Sequence, residues 1–345
     1  MNPTSEKLMA WAIDKIKTEY PDDVALLVGV EGHMVNGDGH GEPFDYFVPA
    51  TARGNELAQT FIIDGVGHDL YPRSWERTER TANFDDWATL CLANAKILYA
   101  RSQADVERFE ALRQKLVDNL ADKAFMYRKA LEELDVAMDL YRTMMFEDKP
   151  HQIRMAVGYI ADYLLQGICY LNGTHEKDWT AGKIPQIQQL AACPDNFLAY
   201  YQAILAARSE VDLKNLAQLI ISTTRQFMAR YKPVDSTVPP TINYQNLAGW
   251  YEEMSLTWRR LYYYCQMQNS DAALVDACNL QNETNIIKEE FALAEMDLLG
   301  YFDADNLSLL SQKAQEWEEY IIAQIQSHGA VIRRYDTVEE FLAAQ

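Results

Sequence analysis

The spacing of apolar residues changes about one third of the way along the 345-residue chain. Before residue 122, short apolar runs of the kind found in buried strands alternate with helix-like segments. After it, apolar residues recur almost throughout at the three- and four-residue spacing of amphipathic helices. This change predicts an α+β protein, with a small mixed-sheet domain at residues 1–122 and a larger all-helical bundle domain at residues 123–345.

Four strands and two helices are predicted in the first segment. Residues 5–20 have helical spacing, and a short helix is predicted at 51–58. Short apolar runs predict strands at 24–30, 44–49, 60–64 and 95–99.

In the second segment, prolines and an Asn-Gly pair separate the helical stretches. Later helices are predicted at 197–207, 213–231, 244–268, 272–299 and 307–327. The tail at 331–335 is predicted to form a last strand or an extended segment before a short helix through Leu342.

The net charge of −20 limits the classes of partner. An acidic surface repels nucleic-acid phosphates and anionic membranes, so we expect neither as a partner. No apolar run approaches the roughly 20 residues needed to span a bilayer. The N-terminus lacks the basic and apolar segments of a signal peptide. We therefore expect a cytoplasmic protein, with a cationic small molecule as the partner that electrostatics favours.

One segment has the layout of a site for phosphates and metal ions. Val30-Glu31-Gly32-His33 is followed, after eleven residues, by Asp45-Tyr46-Phe47-Val48. Nucleotidyl transfer requires close backbone approach to the polyphosphate, which a glycine turn permits, and carboxylates that hold divalent metals. Alternate residues of a strand share one face, so a single strand can present two such carboxylates. The segment resembles the polymerase-β-like nucleotidyltransferase signature: hydrophobic-Gly-Gly/Ser, a spacer, then Asp-hydrophobic-Asp/Glu-hydrophobic.

The resemblance implies a role for each matching residue. Gly32 and His33 would face the phosphates, with His33 in place of the family's usual small residue. Asp45 would bind metal as the first carboxylate. The family's third carboxylate lies on a following strand, where Asp69 is preferred to Asp64 because the residues after Asp69 would continue a strand. The implied catalytic residues are Asp45 and Asp69, and the implied metal ligands are Asp45, Asp69 and Asp64.

Phe47 occupies the position of the family's second carboxylate. Without that carboxylate, two-metal catalysis lacks a ligand shared between the ions. One interpretation is an enzyme with an incomplete carboxylate set. Another is a catalytically inactive homologue that acts as a ligand- or partner-binding protein. A third is a purely structural helical protein in which the motif is coincidental.

The rest of the chain resembles, more loosely, the aminoglycoside (kanamycin) and lincosamide nucleotidyltransferases. Residues 95–101 resemble the late strand that leads into a helix in those enzymes, and residues 154–179 resemble their long helix ending in Leu-Asn-Gly. The resemblance implies ATP and Mg²⁺ as cofactors, and transfer of a nucleoside monophosphate to a hydroxyl of a small-molecule acceptor. It also makes a homodimer an expectation, since related enzymes build sites between subunits.

A charge-dense helix follows Asp69. In it, Arg73 and Arg77 lie one turn apart and would reach a triphosphate, which makes Arg73 a candidate nucleotide-binding residue. Alternatively, both arginines pair with Glu76 and Glu79 on a solvated face, and the spacing favours this interpretation.

Two further clusters have both a functional and a structural interpretation. His33, His40 and His68 lie near aspartates and would suit a transition metal. Their spacing matches no known ligand motif, so solvated loop histidines are favoured. Residues 258–264 combine tryptophan, arginine and three tyrosines, which suits a pocket for a cyclic cation. Aromatic residues at helical spacing more often belong to a core.

Overall fold

The computed structural model of the chain describes residues 3–30, 45–177, 182–233 and 242–344. The chain forms two compact units, Met1–Val234 and Asp235–Gln345. Within the described residues, the first unit combines a five-stranded sheet with helices, and the second is helical. The predicted α+β class, with the sheet near the N-terminus and helices after it, is confirmed. The predicted domain boundary at residue 122 falls between two helices of the first unit and stays a prediction.

The sheet and its flanking elements form the beginning of the first unit. In chain order they are helix α1 (Pro3–Glu19), strand β1 (Val24–Val30), strand β2 (Tyr46–Pro49), a 3-10 helix (Ala52–Leu57), strand β3 (Gln59–Ile63), strand β4 (Val66–Pro72), helix α2 (Trp75–Ala82), helix α3 (Leu90–Ala93) and strand β5 (Ala95–Ala100). The strands lie in the order β3-β4-β2-β1-β5. The sheet is mixed, because β2 runs parallel to β4 while the other neighbouring strands are antiparallel.

Both faces of the sheet are covered, which explains why β1 is apolar along its whole length. On one face, Leu27 and Phe47 pack with Ile16 of α1 in a small core cluster. On the other, Val28 and Tyr46 belong to the main core cluster of the unit, which includes the helices after the sheet. The alternation of side chains along each strand therefore divides β1 and β2 between two cores.

One strand of the sheet was largely missed by the sequence prediction. Only Leu70-Tyr71 indicated β4, because Val66 at its start is followed by glycine and two polar residues. A turn at Asp64-Gly65, where both residues have positive φ (50° and 79°), brings β4 back along β3. Residues 51–58, predicted as a short helix, contain the 3-10 helix. The four predicted strands otherwise match β1, β2, β3 and β5 within two residues, with Phe44 lying outside the described residues.

Six further helices complete the described part of the first unit: α4 (Gln103–Ala121), α5 (Lys123–Met144), α6 (Pro150–Leu171), α7 (Lys183–Gln189), α8 (Phe197–Ala206) and α9 (Glu210–Ala229). Ser102, Asp122 and Ser209 cap α4, α5 and α9, because their side chains accept hydrogen bonds from backbone N–H groups of the first turn. α5 and α6 pack together as a helical hairpin, and α9 packs against both.

The described part of the second unit contains α10 (Tyr244–Gln266), α11 (Ser270–Glu290), a 3-10 helix (Leu299–Tyr301), α12 (Ser308–Ser327) and α13 (Val338–Ala343). Helices α10, α11 and α12 share one apolar cluster, in which Trp258 is fully buried. Tyr251 and Tyr262 of α10 each donate a hydrogen bond of 2.8 Å to Glu318 of α12. The structure therefore places Tyr251, Trp258 and Tyr262 in helix packing, while Tyr263 is exposed.

One prediction for the second unit was wrong in detail. The helix predicted at 272–299 ends at Glu290, and Ala292 just beyond it has a φ of 50°, which a continuing helix does not allow. Residues 331–335 form no strand, which agrees with the predicted alternative of an extended segment, and α13 (Val338–Ala343) is the short helix predicted after it. Gln245 exchanges two hydrogen bonds with the backbone of Val331. None of the described helices combines the length and apolarity needed to cross a membrane.

Candidate functional site

Asp45 stands at the start of β2 and points into the protein. It is 5% exposed, and its backbone N–H donates to the Val28 carbonyl at 2.8 Å. Its Oδ2 atom accepts a hydrogen bond from the Tyr71 hydroxyl at 3.0 Å, and the Cys91 thiol donates to the same atom at 3.4 Å. The first candidate metal ligand therefore already has two protein donors at one of its oxygens.

Tyr46 extends this group, which we call the Asp45 cluster: Asp45, Tyr46, Tyr71 and Cys91. The Tyr46 hydroxyl donates to the Cys91 carbonyl at 2.6 Å. Burial, and next the negative charge of Asp45, raise the pKa of the Cys91 thiol to about 12. Burial also raises the pKa of Tyr71. A thiol and a phenol that stay protonated at neutral pH act as hydrogen-bond donors and not as nucleophiles.

Phe47 lies where the resembled motif has its second carboxylate. The side chain is fully buried and packs with Leu57 and Leu70 on the α1 side of the sheet. In the sheet, Phe47 pairs with Leu27 of β1 and Pro72 of β4. A carboxylate here would lose its hydration in an apolar environment, so the position fits a hydrophobic side chain.

The other two candidate carboxylates lie on the β3–β4 hairpin. Asp69 is exposed, and its Oδ1 atom accepts a hydrogen bond from the Thr60 hydroxyl at 3.1 Å across the hairpin. Asp64 is exposed at the turn, five residues before Asp69. That separation corresponds to about 16 Å along an extended strand. The structure therefore does not bring Asp64 and Asp69 together.

A metal centre requires several ligands that converge on one point. Across residues 3–30, 45–177, 182–233 and 242–344, no group of three or more histidine, cysteine, aspartate or glutamate side chains is placed to hold a metal ion. The predicted phosphate-facing residues Gly32 and His33, and also His40, lie outside these ranges. His68, the third histidine of the alternative metal site, is buried, and its ring stacks on Phe61 with centroids 5.5 Å apart.

Arg73, the candidate nucleotide-binding residue, turns inward and is fully buried. Its Nη2 atom donates to Asp86 Oδ1 at 3.0 Å and also to the Thr81 hydroxyl. Arg77 donates from Nε to the second oxygen of Asp86 at 2.8 Å. The two arginines thus share one carboxylate from the loop after α2, rather than pairing with Glu76 and Glu79. The prediction that both lie in one helix was wrong for Arg73, because α2 begins at Trp75.

A second group of polar residues surrounds a cleft that no motif indicated. The loop after α2, together with α5 and α6, encloses a cavity of about 300 Å³. We call it the acidic cleft. It is lined by Phe84, Asp85, Asp86, Trp87, Glu132, Glu133, Val136, Tyr163 and Gln166. Four carboxylates and three aromatic rings in one cavity suit a positively charged group.

The loop that forms one wall of the acidic cleft is fixed at both ends. Asp86 binds the two arginines and accepts a further hydrogen bond from the Ala88 backbone N–H at 3.0 Å. Phe84 has a φ of 60°, and its ring meets Tyr170 edge-on with centroids 5.1 Å apart. Trp87, which directly follows the anchored Asp86, is 64% exposed beside the cleft. The loop therefore presents an aromatic ring to a ligand from a rigid base.

Within the described residues, Glu133 forms no ion pair. The Gln166 amide donates to its Oε1 atom at 3.1 Å. Burial, and next the charge of neighbouring Glu132, raise the pKa of Glu133 to about 7. A cation that enters the cleft would favour the ionised form of this carboxyl group.

Lys129 neutralises only part of the charge of the cleft. Its Nζ atom lies 2.5 Å from Asp85 and 2.8 Å from Glu132, so one lysine serves two carboxylates. Asp162 on α6 also acts on Glu133, but its charge is paired with Lys183 at 2.8 Å. Apart from Asp86, which the arginines neutralise, the carboxylates outnumber the cations around this cavity.

Comparison with known proteins does not identify a family. No protein-family model matches the chain, and no curated protein is significantly similar to it. One solved structure that it resembles is a nucleotidyltransferase-like protein from Exiguobacterium sibiricum 255-15. The two chains are 12% identical, and the similarity covers 64% of this chain and 75% of that chain, with a TM-score of 0.35. A likeness at this level carries no argument about function.

The acidic cleft was missed by sequence reasoning because its walls are distant along the chain. Trp87 and Glu132 are 45 residues apart, and only folding brings them to one cavity. The available signals were Asp85-Asp86-Trp87 in a loop and Glu132-Glu133 on a helix. Neither signal indicates the other, since consecutive acidic residues are usually solvated.

Proposed function

We propose that this chain is a catalytically inactive, nucleotidyltransferase-like protein that binds a cationic ligand in the acidic cleft. The observation that carries the proposal is the burial of Phe47, whose place in the resembled motif belongs to a metal-binding carboxylate. The nucleotidyltransferase likeness itself rests on the sequence motif that includes Asp45-Tyr46-Phe47-Val48.

The described residues do not fit the pair of divalent metals that the resemblance implies. Such a pair needs oxygen ligands that converge on two ions about 4 Å apart. Phe47 offers no oxygen, and the Asp45 carboxylate accepts hydrogen bonds from Tyr71 and Cys91. Asp69 is bonded to Thr60 across the β3–β4 hairpin. These contacts favour a ligand-binding protein over an enzyme that transfers a nucleoside monophosphate with the help of metal ions.

The lining of the acidic cleft supports a cationic ligand. Glu132 supplies negative charge, Glu133 gains it when a bound cation favours its ionised form, and the exposed ring of Trp87 can attract a cation through its face. The volume of about 300 Å³ is at the lower limit of small-molecule sites. A small organic cation, or a basic side chain of a larger ligand, fits such a cavity. A cationic small molecule also agrees with the net charge of −20.

Titration of ATP into the full chain, with and without Mg²⁺, tests the assignment as inactive. We expect no magnesium-dependent heat of binding, and the same result for Asp45→Asn. Magnesium-dependent ATP binding that Asp45→Asn abolishes would support the transferase instead.

Titration with spermidine at low ionic strength tests the cleft. We expect binding that weakens about tenfold in the double variant Glu132→Gln/Glu133→Gln, since each removed charge contributes up to about 1 kcal/mol in a partly solvated site. Glu107→Gln on α4 is the matched control, because Glu107 is an exposed glutamate outside the cleft. Equal weakening by the control would show that the spermidine binds to surface charge in general.

A further inference from the structure

The acidic cleft continues into a row of exposed apolar side chains, which we call the apolar strip: Val136 on α5, and Met155, Tyr159 and Tyr163 on α6. Tyr163 and Val136 line the cleft itself. Tyr159 is 53% exposed and Met155 is 54% exposed. The strip therefore begins inside the cleft and extends beyond it over the surface of α6.

The spacing of the α6 residues places them on one side of the helix. Met155, Tyr159 and Tyr163 follow one another at intervals of four residues, so their side chains form a line. The line covers about 12 Å of helix, or two turns. The neighbouring stripe, with Ile160 and Leu164, is fully buried against the rest of the unit. Met155 and Tyr159 are thus additional to the residues that the core needs, whereas Tyr163 also packs against the core.

The acidic cleft and the apolar strip together select a ligand that carries both positive charge and an apolar surface. A bare polyamine would use the carboxylates and leave Tyr159 and Met155 in water. An anionic membrane would be repelled by Asp85, Glu132 and Glu133. A helix with basic residues at one end and an apolar stripe along one side would satisfy both, as amphipathic helices do when they bind in grooves.

We propose that the acidic cleft and the apolar strip form one docking groove for a basic amphipathic helix of a partner protein. The inference rests on the proposed function, because it takes the cleft to be a site for positive charge. A lysine or arginine of the partner enters between Trp87 and Glu133, and apolar residues spaced along its helix cover Tyr163, Tyr159 and Met155.

An amidated peptide of about 18 leucine and lysine residues, arranged with one apolar face, is the probe. A peptide of the same composition in scrambled order is its control, since it keeps the charge and loses the apolar face. Binding of both to the full chain is measured by fluorescence anisotropy. We expect the scrambled peptide to bind at least about tenfold more weakly than the amphipathic one.

Tyr159→Ser and Met155→Ser test the strip without changing its charge, and both positions are more than half exposed, so the fold should tolerate either change. Each variant is expected to weaken binding of the amphipathic peptide about tenfold and to leave spermidine binding unchanged. Leu256→Ser is the matched control, because Leu256 is an apolar side chain, 64% exposed, on α10 of the second unit. Leu256→Ser should change the affinity for the amphipathic peptide less than twofold.

The outcomes separate this inference from the proposed function. If both peptides bind equally and the strip variants have no effect, while Glu132→Gln/Glu133→Gln still weakens spermidine, the groove is wrong and a small-cation site remains. If the cleft variant affects neither ligand, both proposals are wrong. The groove is supported if the strip variants and the cleft variant all lose binding of the amphipathic peptide. The scrambled peptide should then bind weakly to the parent protein and to every variant.

Discussion

The hydroxyl of Tyr71 donates a hydrogen bond to the Oδ2 atom of Asp45 over 3.0 Å. The bond joins β4 to the start of β2, and the two strands pair in only two register positions. A carboxylate that would bind metal in the resembled motif therefore helps to hold a short parallel strand pair. The structural role of Asp45 and the apolar character of Phe47 both argue against a metal site at this position.

Tyr71→Phe should destabilise the protein by about 1–3 kcal/mol, because it removes a donor from a buried carboxylate. The free energy of unfolding from urea titration measures this change. Tyr99→Phe on β5 is a suitable control, since Tyr99 is a partly buried tyrosine of the same sheet. A loss no larger than that of the control would contradict the role assigned to this bond.

Phe47→Asp restores the residue type of the resembled motif and should not restore its chemistry. The charge would lie in the apolar cluster against α1, so we expect destabilisation of about 4 kcal/mol or more and no gain of magnesium-dependent ATP binding. Phe47→Leu, which keeps the position apolar, should cost far less. A stable Phe47→Asp protein that binds ATP with Mg²⁺ would show that the site is intact apart from this residue.

Glu133→Gln should stabilise the protein at pH 8 and have little effect at pH 4. Burial raises the pKa of Glu133 from 4.5 to about 7, so between these values the folded protein holds a proton that the unfolded chain releases. The free energy of unfolding therefore falls as the pH rises through this window. The shift corresponds to up to about 3 kcal/mol, and the amide removes the cost of burying a charge.

Thermal melting of Glu133→Gln and the parent protein across pH 4–8 measures this dependence. Glu107→Gln, with an exposed carboxylate, should show the pH profile of the parent. A stability difference that stays constant with pH would contradict the raised pKa of Glu133.

Cysteine reactivity should follow burial. Cys278 is exposed, whereas Cys91 is buried beside Asp45 with its thiol pKa raised to about 12. A disulfide reagent at pH 8 should therefore modify Cys278 within minutes and Cys91 only after denaturation. Mass mapping of the modified peptides checks the order. Early modification of Cys91 in the native protein would mean that the Asp45 cluster is open to solvent.

The change of apolar spacing was enough to predict the fold class and most of the sheet. The apolar run of β1 is complete in the sequence, so its bounds at 24–30 were predicted correctly. Strand β4 has Gly67, His68 and Asp69 after its first residue, which leaves little hydrophobic pattern to detect. The end of α11 depends on the backbone conformation of Ala292, which its residue type does not reveal.

The candidate site was less predictable, because its key contacts join residues far apart in the chain. Asp45 and Arg73 were predicted from the sequence as site residues. Their partners could not be predicted: Tyr71 donates to Asp45, and Asp86 accepts from Arg73. On α6, Tyr159 belongs to the same broad apolar pattern as Ile160. Only packing shows that Ile160 is buried and Tyr159 exposed. A pattern of spacing tells which residues share a face but not whether a neighbour covers it.

Paramagnetic resonance of Mn²⁺ with ATP and the full chain tests the central claim most directly, since Mn²⁺ occupies the oxygen-ligand sites that Mg²⁺ uses. We predict that the protein leaves the spectrum of the Mn²⁺–ATP complex unchanged, and that the parent and Asp45→Asn proteins give the same result. A stoichiometric change of the spectrum that the parent produces and Asp45→Asn does not would contradict the account, because it would make Asp45 a metal ligand.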